Sequence, residues 1–412
     1  MDRAQSDALW GRLRTRFGAA RHERMQALGH DRIEERREGS WVFDEQGKRY
    51  LDCDGSGGIF NLGRRPAEIV AEAKRALRET DQGNFPMVSW EKAELARRLA
   101  DFTPSGLECT VFSVMRGEAL DFACKLARGS TGRTQLLTVD GGWYGETGFA
   151  LTLSDRPDRE RFGPLIPDVG TIAFHDVSAA CDAVTTRTAA VVVEVVQAEN
   201  NARMLPEGML EALRRRCDRV GALLVVDETQ TGFGRTGRRF ACEHASVVPD
   251  VLVLGEALGA GVFPIAATVF TQKVNAFLNS HPLIHLSTFG GSDLGCRVGL
   301  AALTVYERER PWVNAARAGS TIRQRLSEVV SQHGRAVSVR GKGLLLSLDL
   351  ETAQRADRFC RVLSEHGVLA SPGMVARRSV VLRPSLLIGD EEIETLEQAV
   401  EAALISNAAS KV

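Results

Sequence analysis

Lysine is scarce in this chain. Seven occur among 52 basic residues: Lys48, Lys74, Lys92, Lys125, Lys273, Lys342 and Lys411. Chemistry that needs an amine nucleophile therefore has few positions open to it. The eight cysteines, Cys53, Cys109, Cys124, Cys181, Cys217, Cys242, Cys296 and Cys360, contain no C-x-x-C pair. Their scatter through apolar segments argues against a disulfide framework and for small core residues, so a reducing cytoplasm is the expected location. No apolar run is long enough to span a bilayer, and the N-terminus, with Asp2 and Asp7, has no apolar signal core. Charge of one sign is absent as well. A net charge of -1 gives no electrostatic case for nucleic acid or an anionic membrane. Internal repeats and low-complexity linkers are missing.

What remains is an ordinary globular composition, 44% hydrophobic over 412 residues, which is enough for two lobes. The most informative stretch runs from Val225 to Gly261. The apolar run Gly221 to Val226 reads as a buried parallel strand that ends in Asp227-Glu228. A glycine-rich loop, Thr231 to Gly237, follows. A second apolar run, Val251 to Leu254, delivers Gly255-Glu256 to the same edge. Ligands of open α/β sheets bind at that edge, so two acidic strand ends are expected to face one pocket.

Along the rest of the chain, residues 1 to about 38 read as helical pieces of a peripheral arm. Gly39 to Asp54 reads as strand, turn, strand. Helices are expected from Pro66 to Arg78 and from Glu91 to Phe102, the first opened by its proline. A strand at Cys109–Val114 leads into a helix from Arg116 to Arg128. Strands follow at Gln135–Val139 and Ala189–Val193, the latter ending in Glu194, and a helix at 206–220. After a helix at 293–308 the pattern turns to helix, strands, helix. Val339 to Gly343 reads as a turn before strand 344–350, and Asp390-Glu-Glu392 caps a last helix.

Several of these segments together resemble the class III aminotransferases, enzymes of fold type I that use pyridoxal phosphate. The quoted residues are Asp227-Glu-Thr-Gln230-Thr-Gly-Phe-Gly-Arg-Thr-Gly237, Pro249-Asp250, Gly255-Glu-Ala-Leu-Gly-Ala-Gly261, Asn61-Leu-Gly-Arg-Arg-Pro66, Gly141-Gly-Trp-Tyr-Gly145, Gln197-Ala-Glu199 and Ser287-Thr-Phe-Gly-Gly291. The matches run from about Gly39 to Ile405. The resemblance implies an α/β fold with a mostly parallel central sheet flanked by helices. It also implies a smaller α+β domain made from both termini. The expected division is an arm and hairpin over 1–65, a large domain with the pocket over 66–309, and a small domain over 310–412. It further implies a homodimer with the pocket at its interface, because the family's threonine at position 288 reaches the partner's cofactor phosphate.

The resemblance also assigns roles. Asp227 matches the carboxylate that keeps the pyridine nitrogen protonated, and Trp143 the aromatic that stacks on the ring. Gln230 and Thr288 match cofactor contacts, Glu199 a substrate contact. Three positions depart. The lysine that holds the cofactor as an imine falls on Glu256, which cannot form that bond. The small polar cup that holds the phosphate at a helix start falls on Met115-Arg116, although Gly117 remains. The carboxylate-binding arginine falls on Val381, with Arg383 two residues on and on the same side of a strand. An unpaired buried carboxylate is costly, on the order of several kcal/mol. Glu256 is therefore expected to be protonated or paired, with Arg116 as partner within about 6 Å, the two filling cofactor space.

Three functions follow. One is a repurposed enzyme without pyridoxal phosphate, in which Glu256 does acid–base work on a small amino- or carboxylate-bearing metabolite of specialised biosynthesis. Another keeps pyridoxal or pyridoxamine phosphate non-covalently. The third is a non-catalytic partner or regulatory subunit. Two other patterns carry little. Gly232-Phe-Gly-Arg-Thr-Gly237 satisfies G-x-G-x-x-G but does not open a helix directly after its strand. His281 and His285 have a metal-like spacing but no third ligand, and Pro282 breaks any helix that would align them, so no metal is expected.

Overall fold

The computed structural model describes residues 3–82, 87–333 and 337–408. A seven-stranded sheet forms its centre. In chain order its strands are β1 (Cys109–Ser113), β2 (Gln135–Val139), β3 (Val169–Ile172), β4 (Thr188–Val193), β5 (Leu223–Asp227), β6 (Val251–Leu254) and β7 (Ala266–Phe270). In space they run β1-β7-β6-β5-β4-β2-β3. All are parallel except β7, which runs against both β6 and β1. The three central strands β4, β5 and β6 are continuous apolar runs buried along their whole length, as strands covered on both faces must be.

Alternate residues of these strands enter two separate cores. Val192, Val225 and Val253 pack with Ala119, Phe122 and Leu126 of helix α1 (Arg116–Thr131). Val193, Val226 and Leu254 pack on the other face with Leu210, Leu213 and Cys217 of the helix Met209–Val220. That is the period of a strand read directly as burial. Helices on both faces of a mostly parallel sheet are the α/β architecture expected from the sequence.

Another core joins residues from both ends of the chain. Leu28, Leu51 and Cys53 pack with helices Pro311–Gln332, Ala353–Glu365 and Asp390–Ala408 and with strands Leu345–Asp349 and Ser379–Leu382. The N-terminal hairpin is tied in directly, because Leu51 pairs in parallel with Val368.

Some local expectations fail. Glu34–Glu38 is not helical but an edge strand beside Trp41–Asp44, all five residues exposed. A run of charges on an open edge keeps it from pairing further. Ser338–Lys342 is likewise a strand, paired with Leu345–Asp349, not a turn. Gly341 belongs there because its φ is 110° and a Cβ would lie 2.0 Å from the Leu345 carbonyl oxygen. Pro66 caps its helix from outside, and Pro206 precedes its helix by a turn. Among the described residues no helix is long and apolar enough to cross a membrane.

Candidate functional site

The carboxyl ends of β1, β2, β4, β5 and β6 converge. Asp227 ends β5 and is buried. Its Oδ1 accepts the Thr229 backbone N–H at 2.8 Å, while its Oδ2 accepts no hydrogen bond. Burial raises its pKa, and the neighbouring Arg116 charge offsets part of that rise. Glu194, just beyond β4, is buried too, and its Oε2 accepts the Trp143 backbone N–H at 2.8 Å. Burial first, and the charge of Asp227 second, push Glu194 well above the usual carboxylate range. Both carboxyls are thus pushed toward their protonated forms, and Asp227 is the one whose neighbouring guanidinium most opposes the push.

Arg116 begins α1, directly after β1. Its backbone N–H donates to Glu256 Oε1 at 2.9 Å. An α-helix leaves its first N–H groups without partners, and Met115 at the cap offers no side-chain acceptor, so the carboxylate supplies one. Glu256 reaches this place from Gly255, which has no room for a side chain: a Cβ there would lie 2.8 Å from the Thr229 carbonyl oxygen.

The Arg116 guanidinium turns away from Glu256. Its carbon lies 4.3 Å above the Trp143 ring, and Nη2 lies 3.9 Å from Asp227 Oδ2. Nε and Nη2 are buried without a hydrogen-bond partner. The two residues thus meet within the expected distance, but through the backbone; the ion pair expected between their side chains forms with Asp227 instead. Asp227 has 1% of its side chain exposed, and leaving it alone would cost more than leaving the partly exposed Glu256. Gly117 follows in the first turn, where a Cβ would lie 2.6 Å from Thr147 Oγ1.

Gln230, Glu199 and Arg383 form a neighbouring cluster. Arg383 Nη1 donates to Glu199 Oε1 and, at 2.7 Å, to Gln230 Oε1; its Nε donates to the Asp54 carbonyl oxygen at 3.1 Å. Gln230 Nε2 donates to Glu199 Oε1 at 3.2 Å. Burial alone would raise the pKa of Glu199, but Arg383 outweighs it and holds the carboxyl below its usual range. Gln230 therefore falls with the expected substrate residues, not with Arg116 and Trp143. Thr288 is exposed on the loop between Ser280 and Asp293 and makes no hydrogen bond to either cluster. His281 and His285 share that loop, and no metal-holding group occurs among the described residues.

Sequence reasoning gave no role to Glu194, Thr229 or Asp54. Glu194 was legible as a carboxylate at a strand end. Asp54 was not, since it comes to Arg383 across 329 residues.

Residues 25–404 match the family model described as "Aminotransferase class-III". An uncharacterized aminotransferase of Archaeoglobus fulgidus is 37% identical over 92% of this chain and 89% of its own length. A putrescine aminotransferase of Pectobacterium atrosepticum is 34% identical over 85% of this chain and 77% of its own. Among solved structures, ornithine aminotransferase from Toxoplasma gondii, with pyridoxal phosphate at partial occupancy, aligns with a TM-score of 0.86. It is 28% identical and covers 92% of this chain and 91% of its own.

Proposed function

Starting from a chain that belongs to the class III aminotransferases, we propose that this member acts without the lysine-held cofactor, on a small carboxylate-bearing metabolite. Glu256 would be its proton-transferring residue. One observation carries the reading. In the family pattern the cofactor ring needs two things here, an aromatic face at Trp143 and a carboxylate at Asp227. The Arg116 guanidinium takes both. The family's phosphate needs the helix start, and the Glu256 carboxylate takes its first N–H. The residues present therefore do not fit pyridoxal phosphate.

The same geometry suggests what would bind. The Arg116 side chain keeps 13% exposure while its Nη2 faces Asp227. Its remaining exposed part is suited to a carboxylate. Glu256 lies beside the same residue, partly exposed, with one oxygen on the Arg116 N–H. A metabolite held by its carboxylate on Arg116 would present its neighbouring atom to Glu256 for proton transfer. The pocket would be completed by a second copy of the chain. Support for that pairing comes from Leu283, Leu286 and Phe289, exposed by 75, 58 and 55% on the loop that carries Thr288.

A second reading, non-covalent pyridoxal phosphate, draws on Asp227 Oδ2, which is buried and accepts no hydrogen bond, as a pyridinium acceptor would be. Equilibrium dialysis of the purified protein against pyridoxal phosphate separates the two. No saturable retention is expected; stoichiometric retention would favour the second reading and end the first. Turnover of a panel of small amino and keto acids, lost in Glu256→Gln with the melting temperature unchanged, is the expected activity result. Unchanged turnover would remove Glu256 from the chemistry.

A further inference from the structure

Behind the glycine-rich loop lies a surface cavity of about 250 Å³ that the functional site does not use. It is walled by the end of that loop, by helix Pro311–Gln332 and by the turn after strand Ser338–Lys342. Its charged lining is of one sign. Arg238, Arg323 and Lys342 face it together with His244, and no carboxylate lines it. None of the three cations takes part in a salt bridge among the described residues. Arg238 spends one donor on the Glu243 carbonyl oxygen. In a chain with a net charge of -1, three uncompensated cations around one hollow are not a consequence of composition.

His244 reports the resulting field. Its pKa is pushed down to about 4 by burial and by the charges of Lys342 and Arg238, so the imidazole stays neutral at physiological pH. Its Nε2 lies 3.1 Å from Thr236 Oγ1. Thr236 and Ser320 add hydroxyl donors to the lining. The walls come close through glycine: a Cβ at Gly319 would lie 2.0 Å from the Gly343 carbonyl oxygen, and one at Gly343 2.5 Å from that of Arg235.

We propose that this cavity is a binding site for a phosphate group, free or carried as a phosphomonoester on a small metabolite. Flexible cations, hydroxyl donors and the lack of any acidic neighbour suit a doubly charged tetrahedral oxyanion better than a single carboxylate. The volume admits a phosphate and a few further atoms. The site is separate from the start of α1, and it stands whether or not the pocket at Glu256 holds a cofactor. It clamps the central-sheet loop against the second core. That loop runs from Gln230 to Gly237, so a bound phosphate would stiffen the segment that carries Gln230.

Calorimetric titration and thermal unfolding of the full chain test this with inorganic phosphate, glycerol phosphate, and sodium chloride at matched ionic strength. The melting temperature is expected to rise saturably with phosphate and not with chloride. In Lys342→Gln and Arg323→Gln, both outside the core, affinity is expected to fall at least tenfold, with the circular dichroism spectrum unchanged. Glycerol phosphate binding at least as tightly as phosphate assigns the site to a metabolite-borne group; weaker binding assigns it to the free ion. A phosphate effect equal to that of chloride overturns the proposal. So does one that survives both substitutions but disappears in Gly117→Ala, which would move the anion to the helix start.

Discussion

Glu228 follows Asp227 at the end of β5, fully buried, and points away from the pocket. Its Oε1 accepts the Cys242 N–H at 2.9 Å, and Thr231 Oγ1 bonds its Oε2. Burial raises its pKa to about 7, with these hydrogen bonds opposing the rise. An unfolded chain releases the same proton near about 4.3. The folded protein therefore binds a proton that the unfolded chain does not, between about pH 4.3 and 7. The stability this proton brings is fully present below the lower value and disappears as pH rises through the upper one. With those two values the loss between pH 5 and pH 8 is about 2–3 kcal/mol. Glu228→Gln mimics the protonated acid, since its amide can accept from Cys242 and donate to Thr231, but it does not titrate. Equilibrium urea unfolding of both proteins at one concentration should find the natural chain losing stability relative to the variant across that range, by about 2–3 kcal/mol. A difference that stays flat from pH 5 to pH 8 would refute the reasoning: Glu228 would be ionised in the fold throughout.

Other outcomes follow from the same geometry. Arg383→Ala strands Glu199 in the interior and is expected to cost about 3–5 kcal/mol at neutral pH. Because the Glu199 pKa is depressed, this contribution is present above the ordinary carboxylate range and lost as pH falls through the folded value, so the gap to the natural protein should narrow in acid. Gly255→Ala forces a contact with the Thr229 carbonyl and should lower stability by about 1–3 kcal/mol, measurable as a drop in melting temperature. A thiol reagent on the native protein should label the part-exposed Cys109 and Cys181 well before the six buried cysteines; a third fast thiol would contradict the packing. Glu256→Lys alone should give no borohydride-reducible adduct with pyridoxal phosphate on the peptide containing position 256. Glu256→Lys with Arg116→Ser should give one.

The sheet was legible because its central strands are unbroken apolar runs, a pattern set by burial on both faces and needing no partner to be recognised. The edges were harder. Glu34–Glu38 carries no apolar signal, since an edge strand is held by backbone hydrogen bonds on one side and presents charge on the other. The Gly341-Lys-Gly343 segment has the glycines of a turn, but Gly341 serves a close approach to Leu345 inside a strand pair. In the site, residues at the ends of parallel strands could be placed together from sequence, because sheet topology fixes that edge. The direction of Arg116 could not. Two carboxylates were available to it, and the choice depends on which is more deeply buried, a property of the whole fold. Gln230 joined the other cluster for a similar reason: its partner Arg383 arrives from 153 residues away.

The preference of Arg116 for Asp227 explains how Arg116 and Glu256 can coexist at this edge. Placing a carboxylate at position 256 adds negative charge beside an acidic strand end, which alone would be repelled by Asp227. Placing an arginine at position 116 puts a guanidinium in a largely buried pocket, where Asp227 is its counterion. Together, each charge has a place: the guanidinium lies between the Trp143 face and Asp227, and Glu256 lies on the N–H that opens α1. A cationic plane over an aromatic ring and an anion at a helix start are the two electrostatic demands that the family pattern makes at this edge. Side chains of the protein itself meet both here. Arg116→Ser or Glu256→Lys alone leaves either Asp227 or the new lysine without its counterion, so the two positions should behave as a unit, with each single variant less stable than the double.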